Sequence, residues 1–76
     1  MCLAVPGEII KIYPDGYQAD VNIMGNVKRV SIFLTPEAKV GDRVMVHAGQ
    51  AISVIEREEA EAIEKLWEEL LRHGND

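Results

Sequence analysis

Cys2 and His47 are the side chains of this 76-residue chain best suited to chemistry. Cys2 is the only cysteine, and it opens an apolar run, Leu3-Ala4-Val5, that leads into Pro6-Gly7. If Met1 is trimmed, as the small residue behind it favours, Cys2 becomes the N-terminus and carries a thiol and an ammonium on one α-carbon. The neighbouring positive charge then favours the thiolate, the form that attacks disulfides and ligates soft metals. The plainer alternative is a small buried hydrophobe, and position alone fits either. His47 is the imidazole of the apolar, β-branched body, whereas His73 sits near the C-terminus and is expected in solvent. On strand alternation His47 shares a face with Met45, not with Val44 and Val46. It therefore points outward if the valines face the core, and Gly49 two residues on leaves backbone open to a partner.

A Cys/His pair acts as thiolate plus base, or as two ligands of a soft or borderline metal. Neither arrangement is complete here: a structural zinc site takes four ligands, and no such spacing is present. A barrel of this size also fills its interior with side chains instead of enclosing a substrate. The residues thus argue against an enzyme in its own right. Pro6-Gly7 reads as a hinge, one dihedral fixed and the next freed, that projects Cys2 on a short arm.

The elements that must hold these residues are short β-branched runs separated by turn chemistry, from Gly7 to Ile55. Glu8 to Tyr13 reads as a first strand ending in the Pro14-Asp15-Gly16 turn. Tyr17 to Met24 follows, with Tyr17, Ala19, Val21 and Ile23 on one face and Gln18, Asp20 and Asn22 on the other. Gly25-Asn26 reads as the next turn, and Val27 to Leu34 as a third strand interrupted by Lys28-Arg29. The stretch from Thr35 to Arg43, with Pro36 and Gly41-Asp42, is expected to be a surface loop. Val44 to His47 and Ala51 to Ile55 make strands four and five, with a bend or bulge at Ala48-Gly49.

From Glu56 the period changes from two to about 3.6. Ala60, Ile63, Leu66, Trp67, Leu70 and Leu71 form one apolar stripe of an amphipathic helix, with Glu61-Lys65 and Glu68-Arg72 as i,i+4 pairs and Gly74 as its stop. The stripe is expected to cover an open side or end of the barrel, because so small a domain can scarcely spare it; a partner's groove is the other use. The expected whole is mainly β: a five-stranded all-β barrel or sandwich over about residues 1–55 and a C-terminal helix over about 56–73, a single domain spanning 1–76.

At this size only about 60% of the surface of the extended chain is buried on folding. A lone cysteine rules out an internal disulfide framework, and no secretory leader precedes the first strand, so a reducing cytoplasm is expected. No apolar stretch approaches the roughly 20 residues that cross a bilayer, so no membrane contact is expected. The net charge of −5 repels phosphate backbones, and no nucleic-acid partner is expected, although Glu56 to Glu69 holds much of the acid and leaves the remainder near neutral.

Met1-Cys2-Leu3-Ala4-Val5-Pro6-Gly7-Glu8-Ile9, followed by Gly41-Asp42-Arg43-Val44-Met45-Val46-His47-Ala48-Gly49-Gln50-Ala51-Ile52, resembles the HypC/HupF family of nickel-iron hydrogenase maturation chaperones. Met-Cys-x-x-x-Pro-Gly paired with Gly-Asp-x-Val-x-Val-His-x-Gly in so short a chain is a specific match. Pro6, Gly7, Gly41, Asp42 and Gly49 are its supporting positions. Gln50 departs from it, standing where the family favours an aromatic.

The resemblance implies a small five-stranded OB-like β-barrel with a C-terminal helix, acting as a scaffold and carrier in assembly of the hydrogenase metal centre. Cys2 would contact a HypD-type maturation protein, on which an iron bearing cyanide and carbon monoxide is built, and then the precursor of the hydrogenase large subunit. His47 matches the family's histidine, as an additional iron ligand or as a positioning group. The iron is transient cargo, with no permanent cofactor. Soft low-spin iron(II) suits a thiolate donor, and a single protein ligand holds it loosely enough to pass on.

Two other classes fit parts of the chain. An OB-like nucleic-acid module would use the five strands and Lys28-Arg29 with aromatic platforms. A thiol or persulfide carrier would use Cys2 with a thiol supplied by a partner, since the chain has no second cysteine.

Overall fold

A computed structural model describes residues 4–73 of the chain. Five strands and a helix follow one another: β1 (Val5–Ile12), β2 (Gln18–Ile23), β3 (Asn26–Ser31), β4 (Arg43–His47), β5 (Gln50–Ile55) and α1 (Arg57–His73). The strands close a barrel in the order β1-β2-β3-β5-β4, and β4 returns to β1. All neighbours are antiparallel except β3 and β5, which run parallel and meet at the single pair Ser31↔Gln50. The strand pattern leaves a barrel or a sandwich open; the structure is the closed five-stranded barrel that the family resemblance implies, and the protein is mainly β.

The alternation that predicts the strands also builds the core. Ile9, Ala19, Val21, Val30, Ile32, Ala38, Val44, Val46 and Ala51 are buried together, and Val5, Ile12, Ile23 and Val54 pack against them. Between Ile9↔Val21 and Lys11↔Asp20 the register shifts, leaving Ile10 as the extra residue of a bulge. The bulge turns Ile10 outward and lets Ile12 resume the inner face opposite Ala19.

Several boundaries differ from the sequence reading. β1 starts at Val5, not Glu8, so Pro6-Gly7 is no hinge: both residues are buried and lie within the ladder, Pro6 opposite Met45 and Gly7 opposite Val44. The ladder tolerates proline there for a geometric reason. Ile9 N–H donates to Asp42 O at 2.9 Å, so the odd-numbered residues of β1 address β4. The Pro6 nitrogen faces the other way, and β2 first meets β1 at Glu8↔Asn22, so no ladder bond is lost. Gly7 faces inward, where Val21 and Ile23 occupy the space a β-carbon would need.

The β2–β3 turn is centred on Met24-Gly25 rather than Gly25-Asn26, with φ of 49° and 94°. Two consecutive positive φ values make a type I′ turn, whose twist matches the strands it joins. Asn26 is instead the first residue of β3. Tyr17 precedes β2 and is exposed, its ring 5.8 Å from that of Phe33, so it does not share the inner face with Ala19 and Val21. β3 stops at Ser31, short of Leu34, because the chain turns there: Thr35 N–H bonds to Ile32 O at 3.0 Å, burying Ile32 and Thr35 while Phe33 and Leu34 face solvent. The loop to β4 is also less superficial than expected, since Ala38 joins the core.

The helix departs most from expectation. α1 packs against β1 and β4, Ala60 is fully buried and Ile63 and Trp67 are half-buried. Leu66, Leu70 and Leu71, however, are 61%, 63% and 59% exposed. Only the first part of the stripe covers the barrel, because a straight helix of 17 residues, about 25 Å long, outruns so small a body. The principal extents of 43 × 23 × 22 Å record that overhang. Glu61 pairs with Arg57 at 3.5 Å, one turn before it, and not with Lys65. No helix among the described residues is long and apolar enough to cross a membrane. Cys2, Gly74 and the side chain of His73 lie outside the described residues.

Candidate functional site

β4 carries the alternation expected of it. Val44 and Val46 are buried inside the barrel, while Arg43, Met45 and His47 are half-buried on the outer face. His47 is the last residue of the strand, opposite Gln50, and the two are joined by Ala48-Gly49. Ala48 and Gly49 have φ of 54° and 79°, so the expected bend is a second type I′ turn. A non-glycine residue held in that left-handed region is uncommon, and here it places His47 and Gln50 side by side at the tip of a tight hairpin.

The N-terminal end of β1 lies against this tip. Val5 pairs with Val46, and one residue further along come Ala4, the first described residue, and His47, both half-buried. The first described residues thus lie next to the His47 end of β4, and Cys2 itself is outside the described residues. Among the described residues, no group of three or more His, Cys, Asp or Glu side chains is assembled to hold a metal ion.

The supporting positions fall into two groups. Pro6, Gly7 and Gly49 belong to the strand pair and turn that bring the N-terminal end to His47. Gly41 and Asp42 sit at the opposite end of β4, about 17 Å from His47 along an extended strand. Their role there is to start the strand. Gly41 takes a φ of 96°, Asp42 O accepts from Ile9 N–H, and the Asp42 carboxylate accepts from Lys39 N–H at 2.9 Å. Beside them Arg43 and Glu8, opposite one another, form an ion pair at 3.5 Å.

Gln50 is part of a feature that strand-by-strand reading misses. Successive pairings set His47 opposite Gln50, Gln50 opposite Ser31 and Ser31 opposite Gln18. These four half-buried polar residues form a transverse row on the outer wall, running from the N-terminal end of β1 across β4, β5, β3 and β2. Only the pairing of distant strands creates the row, so no local motif announces it.

The aromatic residues of the barrel fall into two groups. Lys11 Nζ and Arg29 Cζ lie 4.9 and 4.4 Å from the Tyr13 ring centroid, while Tyr13 Oη donates to Asp20 at 3.0 Å and accepts from Arg29 at 3.1 Å. Tyr17 and Phe33 make a tilted ring contact and are both exposed. The His47–Gln50 tip thus lies next to the first described residues of the chain.

Comparison with known proteins finds relatives over most of the chain. The model of the HupF/HypC family matches residues 1–67, a span that includes Cys2, the whole barrel and the packed part of α1. The chain is 43% identical over 72 residues to hydrogenase maturation factor HypC of Cupriavidus necator, covering 95% of this chain and 79% of that one. It is 40% identical over 65 residues to HypC of a Synechocystis strain, covering 80% and 86%. With hydrogenase maturation factor HybG of Escherichia coli it shares 37% identity over 67 residues, covering 82% of each.

Proposed function

The chain belongs to the HupF/HypC family, and from that premise we propose that it is a hydrogenase maturation chaperone that works through its N-terminal end. It binds a HypD-type maturation protein, takes an Fe(CN)2CO group as cargo, and then binds the precursor of the hydrogenase large subunit, all in the cytoplasm. Cys2 is the donor to iron and the contact to both partners. His47 assists as a second ligand or by positioning the iron group. The protein turns over no substrate itself.

The observation that carries this reading is the family match over residues 1–67 together with the pairing of Val5 with Val46. Cys2 precedes Ala4 by two residues, a backbone reach of about 7 Å at full extension. That reach lets the Cys2 thiolate and the His47 imidazole address one iron atom. Thiolate is a fitting ligand for soft low-spin iron, and a site with so few protein ligands releases its cargo when a partner supplies the rest.

Cys2→Ala is the test. The variant is expected to keep the circular dichroism spectrum and melting temperature of the parent, to lose the complex with the HypD-type partner, and to yield no mature hydrogenase. Anaerobic co-purification of the parent with that partner is expected to bring iron and infrared bands in the cyanide and carbonyl stretching region. Normal maturation with Cys2→Ala would refute the proposal.

A further inference from the structure

The barrel closes through one β3–β5 pair, and this leaves a length of β3 without a neighbour. Ile32 N–H donates to Tyr17 O at 2.8 Å, which sets the even-numbered residues of β3 as those that address β2. The odd-numbered residues Val27, Arg29 and Ser31 therefore point their N–H and C=O groups the other way. Ser31 N–H is satisfied by Gly49 O at 2.9 Å. The corresponding groups of Val27 and Arg29 meet no backbone or side-chain partner among the described residues, and both residues are exposed.

Proteins ordinarily cover or blunt such an edge, because unpaired donors and acceptors in register are a template for another strand. Here the surroundings select the kind of strand. Arg29 reaches across β2 to the Tyr13 ring and hydroxyl and stands opposite Asp20, so the charge left facing the edge is that of the exposed Lys28. A second copy paired antiparallel through Val27 and Arg29 would set Lys28 directly against its own duplicate, which is unfavourable for like charges. An acidic strand meets no such repulsion.

We propose that the open edge of β3, from Val27 to Arg29, accepts an extended acidic segment of another polypeptide as a sixth strand. The contact is separate from Cys2 and His47 and gives the protein a second, sequence-tolerant hold on an extended chain.

The test uses the full-length protein, labelled with nitrogen-15, and two capped hexapeptides, one alternating Glu with Thr and the other Lys with Thr. Titration with the Glu/Thr peptide into the millimolar range is expected to give saturable shifts centred on the Val27 and Arg29 amides. The Lys/Thr peptide is expected to bind at least tenfold more weakly. Val27→Pro removes an edge N–H without touching the β2 ladder and is expected to weaken binding at least tenfold while the cross-strand contacts of β2 and β3 persist. Lys28→Glu, which leaves the backbone unchanged, is expected to give a similar loss and serves if the proline variant does not fold. Absence of shifts, an equal response to both peptides, or unchanged binding by Lys28→Glu would each overturn the proposal. So would concentration-dependent shifts of these amides without peptide, which would assign the edge to a second copy.

Discussion

A single methyl group at position 7 has nowhere to go. Gly7 faces the barrel interior against Val21, and an added β-carbon would also lie 3.0 Å from Ile23 Cγ1 and 3.2 Å from the backbone oxygen of Asn22. Because backbone is among the obstructions, side-chain repacking alone cannot relieve the clash. Gly7→Ala is expected to destabilise the fold by roughly 1–3 kcal/mol, the usual range for overpacking, read as a lower urea midpoint with an unchanged slope. The outward placement of His47 was legible from alternation with Val44 and Val46, and it holds. What Pro6-Gly7 does was not legible. A proline followed by glycine reads as a break in the chain, and only the direction of the Pro6 nitrogen, set by pairing with a strand more than thirty residues away, makes the pair part of a ladder. Gly41 and Asp42 carry a similar lesson: they stand near His47 in the sequence motif but at the far end of β4 in space.

At the scale of elements, two hairpins turn on residues that sequence preference would not choose. Met24 and Ala48 both hold positive φ, each followed by a glycine that does so readily. L-residues are disfavoured in that region by roughly 1–2 kcal/mol, and asparagine is better tolerated there than other non-glycine residues. Met24→Asn creates the Asn-Gly pair preferred in type I′ turns and is expected to raise stability by roughly 0.5–1 kcal/mol, measured as a higher midpoint in chemical unfolding. The same bias explains the misplaced turn. Gly25-Asn26 looked the better pair by composition, but the register Ile23↔Asn26 leaves exactly two residues between paired positions, and those are Met24 and Gly25. The strands themselves were legible because one face of each is buried. Their ends were not, since Ile32 and Thr35 turn inward through loop hydrogen bonds that leave no periodic trace.

For the molecule as a whole, the division of α1 into a packed part and an overhang has an energetic signature. Ala60 is fully buried, whereas Leu66 and Leu70 are mostly in solvent. Ala60→Leu is expected to cost roughly 1–3 kcal/mol by overpacking, while Leu66→Gln and Leu70→Gln are expected to stay within about 0.5 kcal/mol of the parent, as surface substitutions do. Thermal unfolding of the three variants separates the two parts. The stripe was correctly read as amphipathic, but periodicity reports only which residues share a face. Whether the barrel is long enough to cover that face is a matter of dimensions, and the 43 Å long axis shows that it is not.

The double attachment of β1 also has a mechanical meaning. From Val5 to Glu8 it is laced to β4, and from Glu8 to Ile12 it is laced to β2. Tension applied at its N-terminal end is resisted in shear by several of these links together. A pull on the opposite terminus instead peels α1 from its outer end, turn after turn. A load on the leading end is therefore shared between two neighbouring strands, whereas a load on the far end falls on the helix alone.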